Sequence, residues 1–225
     1  MYKRQVDDAL AAARTAVACD PDNSYAHYIF SFVTHRSIDE AGALEAIGEA
    51  LRLAPDDADY HYFKAAIHYD YGKYYHALSA SDAGLALRPQ HIGCANLRAR
   101  CLAEFEDRTE ALETIERALA LNPEYYWSHE TRASLALKWG GFDNAVRHYR
   151  EALRLNPQSE SARRGLVESL KKRYFVYRTL FKLFDWSDGL KIVARTIVAL
   201  AAVALLNDAL RPIGNRFLRL VAAIG

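Results

Sequence analysis

The sequence predicts an all-α protein, a solenoid in which helix pairs stack in a row. Three observations predict it. Five prolines, Pro21, Pro55, Pro89, Pro123 and Pro157, follow one another at intervals of 34 residues, and a fixed period of that length marks a repeat architecture. Four of them close the same phrase, ALRLAP at 50–55, GLALRP at 84–89, ALALNP at 118–123 and ALRLNP at 152–157, with a fainter copy, AVACDP, at 16–21. Small residues recur in register with the prolines. Ser31, Ala65, Ala99 and Ala133 share one place in the period, Ala43, Ala77, Ala111 and Ala145 a second, and Ala50, Gly84, Ala118 and Ala152 a third.

Each element follows from this period. In residues 24–57 a first helix is expected from about Ser24 to Thr34 and a second from about Glu40 to Leu53. Pro55 then stops the chain, because proline donates no helical hydrogen bond and disfavours the α conformation in the residue before it. The small residues permit short distances between helix axes, and Leu, Ile, Phe and Tyr fill the gaps beside them. The same reading divides the chain into complete units at 24–57, 58–91, 92–125 and 126–159. Residues 1–23 supply only a second helix, from Asp7 to Cys19. That half unit is expected to reflect truncation of a longer chain, or a face covered by a partner or a second copy. Residues 160–173 read as a helix covering the last unit.

These residues resemble the tetratricopeptide repeat. Its pattern has a small residue at place eight, Ala at twenty, an aromatic or aliphatic residue at twenty-four, Ala at twenty-seven and Pro at thirty-two. Gly72 before Lys73-Tyr74, and Gly140-Gly141 before Phe142, fit its inter-helix turn. One departure is consistent: the fourth place, often Trp in the family, holds His27, His61, Ala95 and His129. The resemblance implies a right-handed α-solenoid whose first helices line a concave groove. The lining places hold Tyr25, Tyr28, Phe32, His35 and Arg36 in the first complete unit and Asp59, Tyr62, Tyr69 and Asp70 in the second. They hold Asn96, Arg100 and Glu104 in the third, and Trp127, Glu130 and Lys138 in the fourth. Aromatics with scattered charges suit a peptide or helix of a protein partner, although some of these tyrosines can equally pack between helices. The Lys and Asn set with which some family members grip a C-terminal carboxylate is absent, since Tyr28 and Phe32 stand at the fifth and ninth places.

A net charge of +1 over 225 residues conceals an asymmetry. Residues 1–170 carry 19 Lys and Arg against 25 Asp and Glu, whereas residues 171–225 carry 10 against 3. An acidic array is thus joined to a basic tail. Cys19, Cys94 and Cys101 fit no disulfide framework and no metal-binding pair, and read as free thiols.

In the tail, residues 174–188 and the basic run before them interleave Lys171, Lys172, Arg173, Arg178 and Lys182 with Tyr174, Tyr177, Phe181, Phe184 and Trp186. Such a mixture describes a helix in a membrane interface. A longer capping helix whose aromatics pack on the last repeat is the rival reading. Residues 189–225 shift the balance toward a membrane. Gly189–Leu206 is almost wholly apolar, a polar hairpin follows, and a second apolar segment starts at Phe217. The uninterrupted run from Ile197 to Leu206 is shorter than the roughly 20 residues a bilayer core asks for. The pattern is similar to bacterial tetratricopeptide proteins with hydrophobic C-terminal anchors. The Lys and Arg bias then puts the repeats on the cytoplasmic side of a bacterial inner membrane.

No phosphate loop, HExxH or GxSxG occurs, and no enzyme, cofactor or nucleic-acid partner is expected. His27, His61 and His129 could form a ladder, for which packing is the expected role rather than metal binding. The expected function is therefore a membrane-tethered adaptor that captures a protein partner, with a homo-oligomer allowed. The alternatives are a structural subunit whose tail packs on protein, and a regulatory module of an enzyme.

Overall fold

The computed structural model describes residues 2–174, 179 and 199–203. Among the described residues every regular element is a helix. The chain divides into two compact units, Met1–Val167 and Glu168–Gly225, and the repeats occupy the first.

A leading helix, α1 (Tyr2–Cys19), precedes four pairs. These are α2 (Ser24–Arg36) with α3 (Glu40–Leu53), and α4 (Ala58–Asp70) with α5 (Tyr74–Leu87). Then come α6 (Ile92–Glu104) with α7 (Arg108–Leu121), α8 (Tyr126–Lys138) with α9 (Phe142–Leu155), and finally α10 (Glu160–Arg173). Every first helix of a pair has 13 residues and every second has 14. The leading helix starts at Tyr2, ahead of the apolar pattern that marks it in the sequence.

Local chemistry sets the ends. Asn23, Asp39 and Asp107 each accept the backbone N–H three residues on, which satisfies a donor that the first helical turn leaves without a partner. His91 does the same through Nδ1, taking the Cys94 N–H at 3.0 Å. The turn inside each pair passes through the left-handed region at one fixed place in the period, at Ile38 (φ 64°), Gly72 (φ 72°), Glu106 (φ 59°) and Gly140 (φ 79°). Glycine meets that demand without steric cost, but Ile38 and Glu106 do not.

The small-residue places are the closest contacts. Ala43, Ala77, Ala111 and Ala145 have no exposed surface, nor have Ala50, Ala118 and Ala152. Ile47, Ile67 and Ile115 fill the space beside them. At Gly84 the helices are closer still: a Cβ there would lie 2.5 Å from Cys94 Sγ. Burial pushes the thiols of Cys94 and Cys101 up to about 12, so both stay protonated, while Cys19 is exposed.

The fourth-place histidines are latches. His27, His61 and His129 each bring Nε2 to the carbonyl of the proline six residues earlier, at 2.9, 3.0 and 2.9 Å from the oxygens of Pro21, Pro55 and Pro123. Arg163 reaches the Pro157 carbonyl at 3.1 Å in the same manner. His129 gives its Nε2–H to Pro123, and its Nδ1 meets Nδ1 of His148 at 3.1 Å with the rings stacked. Burial, helped by Arg132 and Arg147, holds the His148 imidazole down at about 4, so that ring is neutral at physiological pH. Among the described residues no cluster of three metal-ligating side chains occurs.

Inter-repeat ion pairs also recur with the period. Arg98 on α6 bonds Asp82 on α5 at 2.7 Å, Thr114 on α7 at 2.6 Å, and Glu110. One period later Arg132 bonds Glu116 at 2.5 Å.

In the tail, Lys171, Lys172 and Arg173 close α10, and Tyr174 is exposed. Tyr177, Arg178, Phe181, Lys182, Phe184 and Trp186, and all of residues 189–225 except 199–203, lie outside the described residues. Among the described residues no helix is long and apolar enough to cross a membrane.

Candidate partner-binding groove

The expected groove residues stand on the first helices α2, α4, α6 and α8. The N-terminal section of the groove is aromatic. Tyr25 lies 5.9 Å from Tyr28, which stacks on Tyr60 at 5.2 Å and meets Phe63 edge-on at 5.4 Å. Phe32 leans on Phe63 at 5.7 Å. Tyr25 and Phe32 remain 62% and 41% exposed, a large apolar area for a surface side chain, whereas Tyr60 and Phe63 are buried beneath them. Tyr60 and Phe63 escape the family's groove pattern because they stand at places three and six; the aromatic run Tyr60-His61-Tyr62-Phe63 was the available signal. His35 closes this section, with Nε2 3.0 Å from Asp70 Oδ2 and its ring edge-on to Phe63. Arg36 is exposed at the end of α2.

The central section is built around a cation. The Arg100 guanidinium lies 4.2 Å above the Tyr69 ring and 6.0 Å from that of Trp127. Trp127 in turn meets Tyr62 edge-on at 6.2 Å. Burial pushes the Tyr62 phenol up to about 12, so it stays a neutral donor. Beyond Arg100 a 230 Å³ pocket opens between α6, α8, α9 and α10, walled by Trp127 and Tyr149 and floored by Glu130, Thr131 and Ser161. Glu130 is buried and accepts from the hydroxyls of Ser159 and Ser161. The Thr131 hydroxyl, also buried, has no hydrogen-bond partner among the described residues. The Tyr149 ring fits because Gly165 lies against it: a Cβ at that place would come within 2.2 Å of the ring.

Several expected groove residues are engaged elsewhere. Asn96 is fully buried, its amide donating to the Ile92 carbonyl and to Ser128 Oγ, both at 2.9 Å. The small Ser128 on α8 leaves the room that draws this side chain inward. Asp59 holds Arg88 at 3.2 Å and His91 at 2.9 Å. Burial raises the Asp59 carboxyl, but those two donors outweigh it and keep the group below the usual carboxylate range. Lys138 ties to the Ala103 carbonyl, to Glu104 at 3.4 Å and to Glu106 at 3.2 Å, joining the third and fourth units. Of the aromatic and cationic face, Tyr25 and Phe32 are exposed, and Tyr62, Tyr69, Arg100 and Trp127 are half-buried.

Known proteins agree on the repeat. A model described as anaphase-promoting complex, cyclosome, subunit 3 matches residues 37–118, and a tetratricopeptide repeat model matches residues 130–171. No curated protein matches the sequence. Among solved structures, the chain is similar to a thermophilic TPR protein of Thermus thermophilus, with 20% identity and a TM-score of 0.65 over 75% of this chain and 92% of that one. It is also similar to the Cut9–Hcn1 hetero-tetramer of the APC/C, with 16% identity, a TM-score of 0.68, and 87% of this chain matching 39% of that one. YrrB, described as a TPR protein with an unusual peptide-binding site, matches at 16% identity and a TM-score of 0.53 over 72% of this chain and 92% of its own. At these identities the likeness is one of fold. The 34-residue period, the tetratricopeptide repeat model over 130–171 and the shared architecture together support a tetratricopeptide-like solenoid for this chain.

Proposed function

We propose that the chain is a non-enzymatic interaction scaffold that holds a peptide or helix of a protein partner along this groove. The observation that carries the reading is the exposure of Tyr25 and Phe32, in line with Tyr62, Trp127 and the ring-stacked Arg100. Large rings bury much area on binding and lose few rotamers, so they make efficient anchors. The triple variant Tyr25→Ser, Phe32→Ser, Arg100→Ala tests it, since none of the three is a core residue. A displayed peptide library should yield binders to the native chain that lose at least tenfold in affinity for the variant, with the helical circular dichroism unchanged. Binders that hold both proteins equally would remove the groove from consideration.

In this reading the basic and apolar tail tethers the scaffold, with its repeats facing the cytoplasm, at a bacterial inner membrane. The support is the sequence alone: the basic-aromatic run at 171–186 beside the apolar residues of 189–206. A second reading, as a structural subunit of a larger assembly, draws on the match of residues 37–118 to the model described as anaphase-promoting complex, cyclosome, subunit 3.

A further inference from the structure

A larger cleft lies outside the groove. It sits between the second helices α5 and α7, holds about 630 Å³, and is lined by Leu85, Pro89, Ala95, Arg98, Ala118 and Leu121 among others. Ala95 and Arg98 form its floor from α6, on the side of that helix turned away from Arg100 and Glu104. The period explains why a cleft exists here. Two periods earlier the same place lies between α1 and α3, where Val17, His27, Phe30 and Glu49 stand for Leu85, Ala95, Arg98 and Arg117. That cleft is only about 350 Å³. At the fourth place the two differ in a ring: an imidazole in one, a methyl group in the other.

At the three latched units the imidazole donates Nε2–H to the proline carbonyl behind it. Ala95 carries no donor, so the Pro89 carbonyl cannot be met in that way. The rest of the latch is in place. His129 and Arg132 show that an imidazole and a guanidinium three residues apart fit together on one helix. Arg98 is already neutralised by Asp82 and Glu110, and thus presents no uncompensated charge to a neutral ring. Where His148 faces His129, the shorter Thr114 lines the open cleft, leaving more space.

We propose that this cleft is a second binding site, on the opposite face from the groove, which takes a histidine side chain of a partner polypeptide. The incoming ring sits over Ala95, between Leu85 and Leu121, and donates its Nε2–H to the Pro89 carbonyl. The partner thereby supplies the group that the other units carry in their own sequence. A hydrogen-bond donor on a ring is the distinguishing requirement, because an apolar ring would fill the same volume and leave the carbonyl unmet.

The test uses the full chain, labelled with nitrogen-15, and N-acetyl-histidine methylamide as the probe. A ligand this small is expected to bind on the order of 1 mM. Saturable shifts should appear at amides around Ala95 and Ala118. They should weaken at least tenfold with either N-methylated probe, because a neutral imidazole methylated at Nδ1 or at Nε2 carries no N–H to donate. N-acetyl-phenylalanine methylamide should be the poorer ligand. Ala95→His should fold, melt higher than the native chain and abolish the shifts, and Ala95→Leu should abolish them without the added donor. Undiminished binding of either methyl isomer, tighter binding of the phenylalanine probe, absence of saturable shifts, shifts that persist in Ala95→His, or an Ala95→His chain that melts lower would each overturn the proposal.

Discussion

Ile38 shows how a repeat tolerates a residue that its backbone does not favour. It stands where Gly72 and Gly140 stand, with φ of 64°, and its side chain is 83% exposed. An L-residue in this region costs about 1–2 kcal/mol, and glycine's extra freedom in the unfolded chain costs about 0.5–1 kcal/mol. So exposed a side chain gains little packing to offset the first figure. Ile38→Gly should therefore stabilise the protein, by about 0.5–1 kcal/mol, as read from thermal melting. Glu106 is the contrasting case, because its carboxylate accepts from Trp139 Nε1 at 3.3 Å and pairs with Lys138. The same replacement there removes bonds as well as strain and should bring no gain. The turn itself was legible from Gly72 and Gly140 once the period was known. Neither Ile nor Glu signals a left-handed residue, so only the period could have placed one at 38 and 106. The role of the fourth-place histidines was half legible: their spacing announced a packed ladder, but not that each ring turns back along its own chain to a proline carbonyl.

Between elements, the spacing of α5 and α6 hangs on one missing methyl group. Replacing a helix-interior glycine by alanine gains about 1 kcal/mol in an open helix. At Gly84 the added carbon would meet Cys94 Sγ at 2.5 Å and the His61 Cβ at 3.3 Å. Overpacking of that kind costs about 1–3 kcal/mol, so it outweighs the propensity gain. Gly84→Ala should lower the urea midpoint, and adding Cys94→Ala should recover most of the loss; additive losses in the double variant would show that the two sites do not compete for space. The pairs and the small-residue seams were visible in the sequence, since each is a local signal repeated several times, whereas the leading helix starts at Tyr2 and not at the expected Asp7. The occupancy of the groove was less legible. Place numbers distinguish the side of a helix but not the reach of its side chains, which is why Asn96 and Glu130 are buried while Tyr25 lies open.

For the whole molecule, the separation of charge matters more than the total. An acidic array and a basic, apolar tail give the two parts different surroundings to seek. The 225-residue chain should stay with membranes through an alkaline carbonate wash, and a chain ending at Leu170 should be released. Release of both would leave the tail as a packing element and favour the structural-subunit reading. The tail was the part least legible in the sequence. Its apolar run is interrupted by Lys191 and Arg195, and its uninterrupted core falls short of a span, so periodicity offered no second vote.

The buried small residues at 50, 84, 118 and 152 make the seams between units nearly the same surface. A seam of that kind does not record which unit came before it. A duplication or loss of one whole period in the gene would rejoin like faces and leave the core continuous, whereas a change of one residue more or fewer would rotate every later helix out of its socket. The length of such a protein is thus free to drift in whole steps over evolutionary time, and the individuality of each copy resides in the few places, such as Ala95, where the steps are not alike.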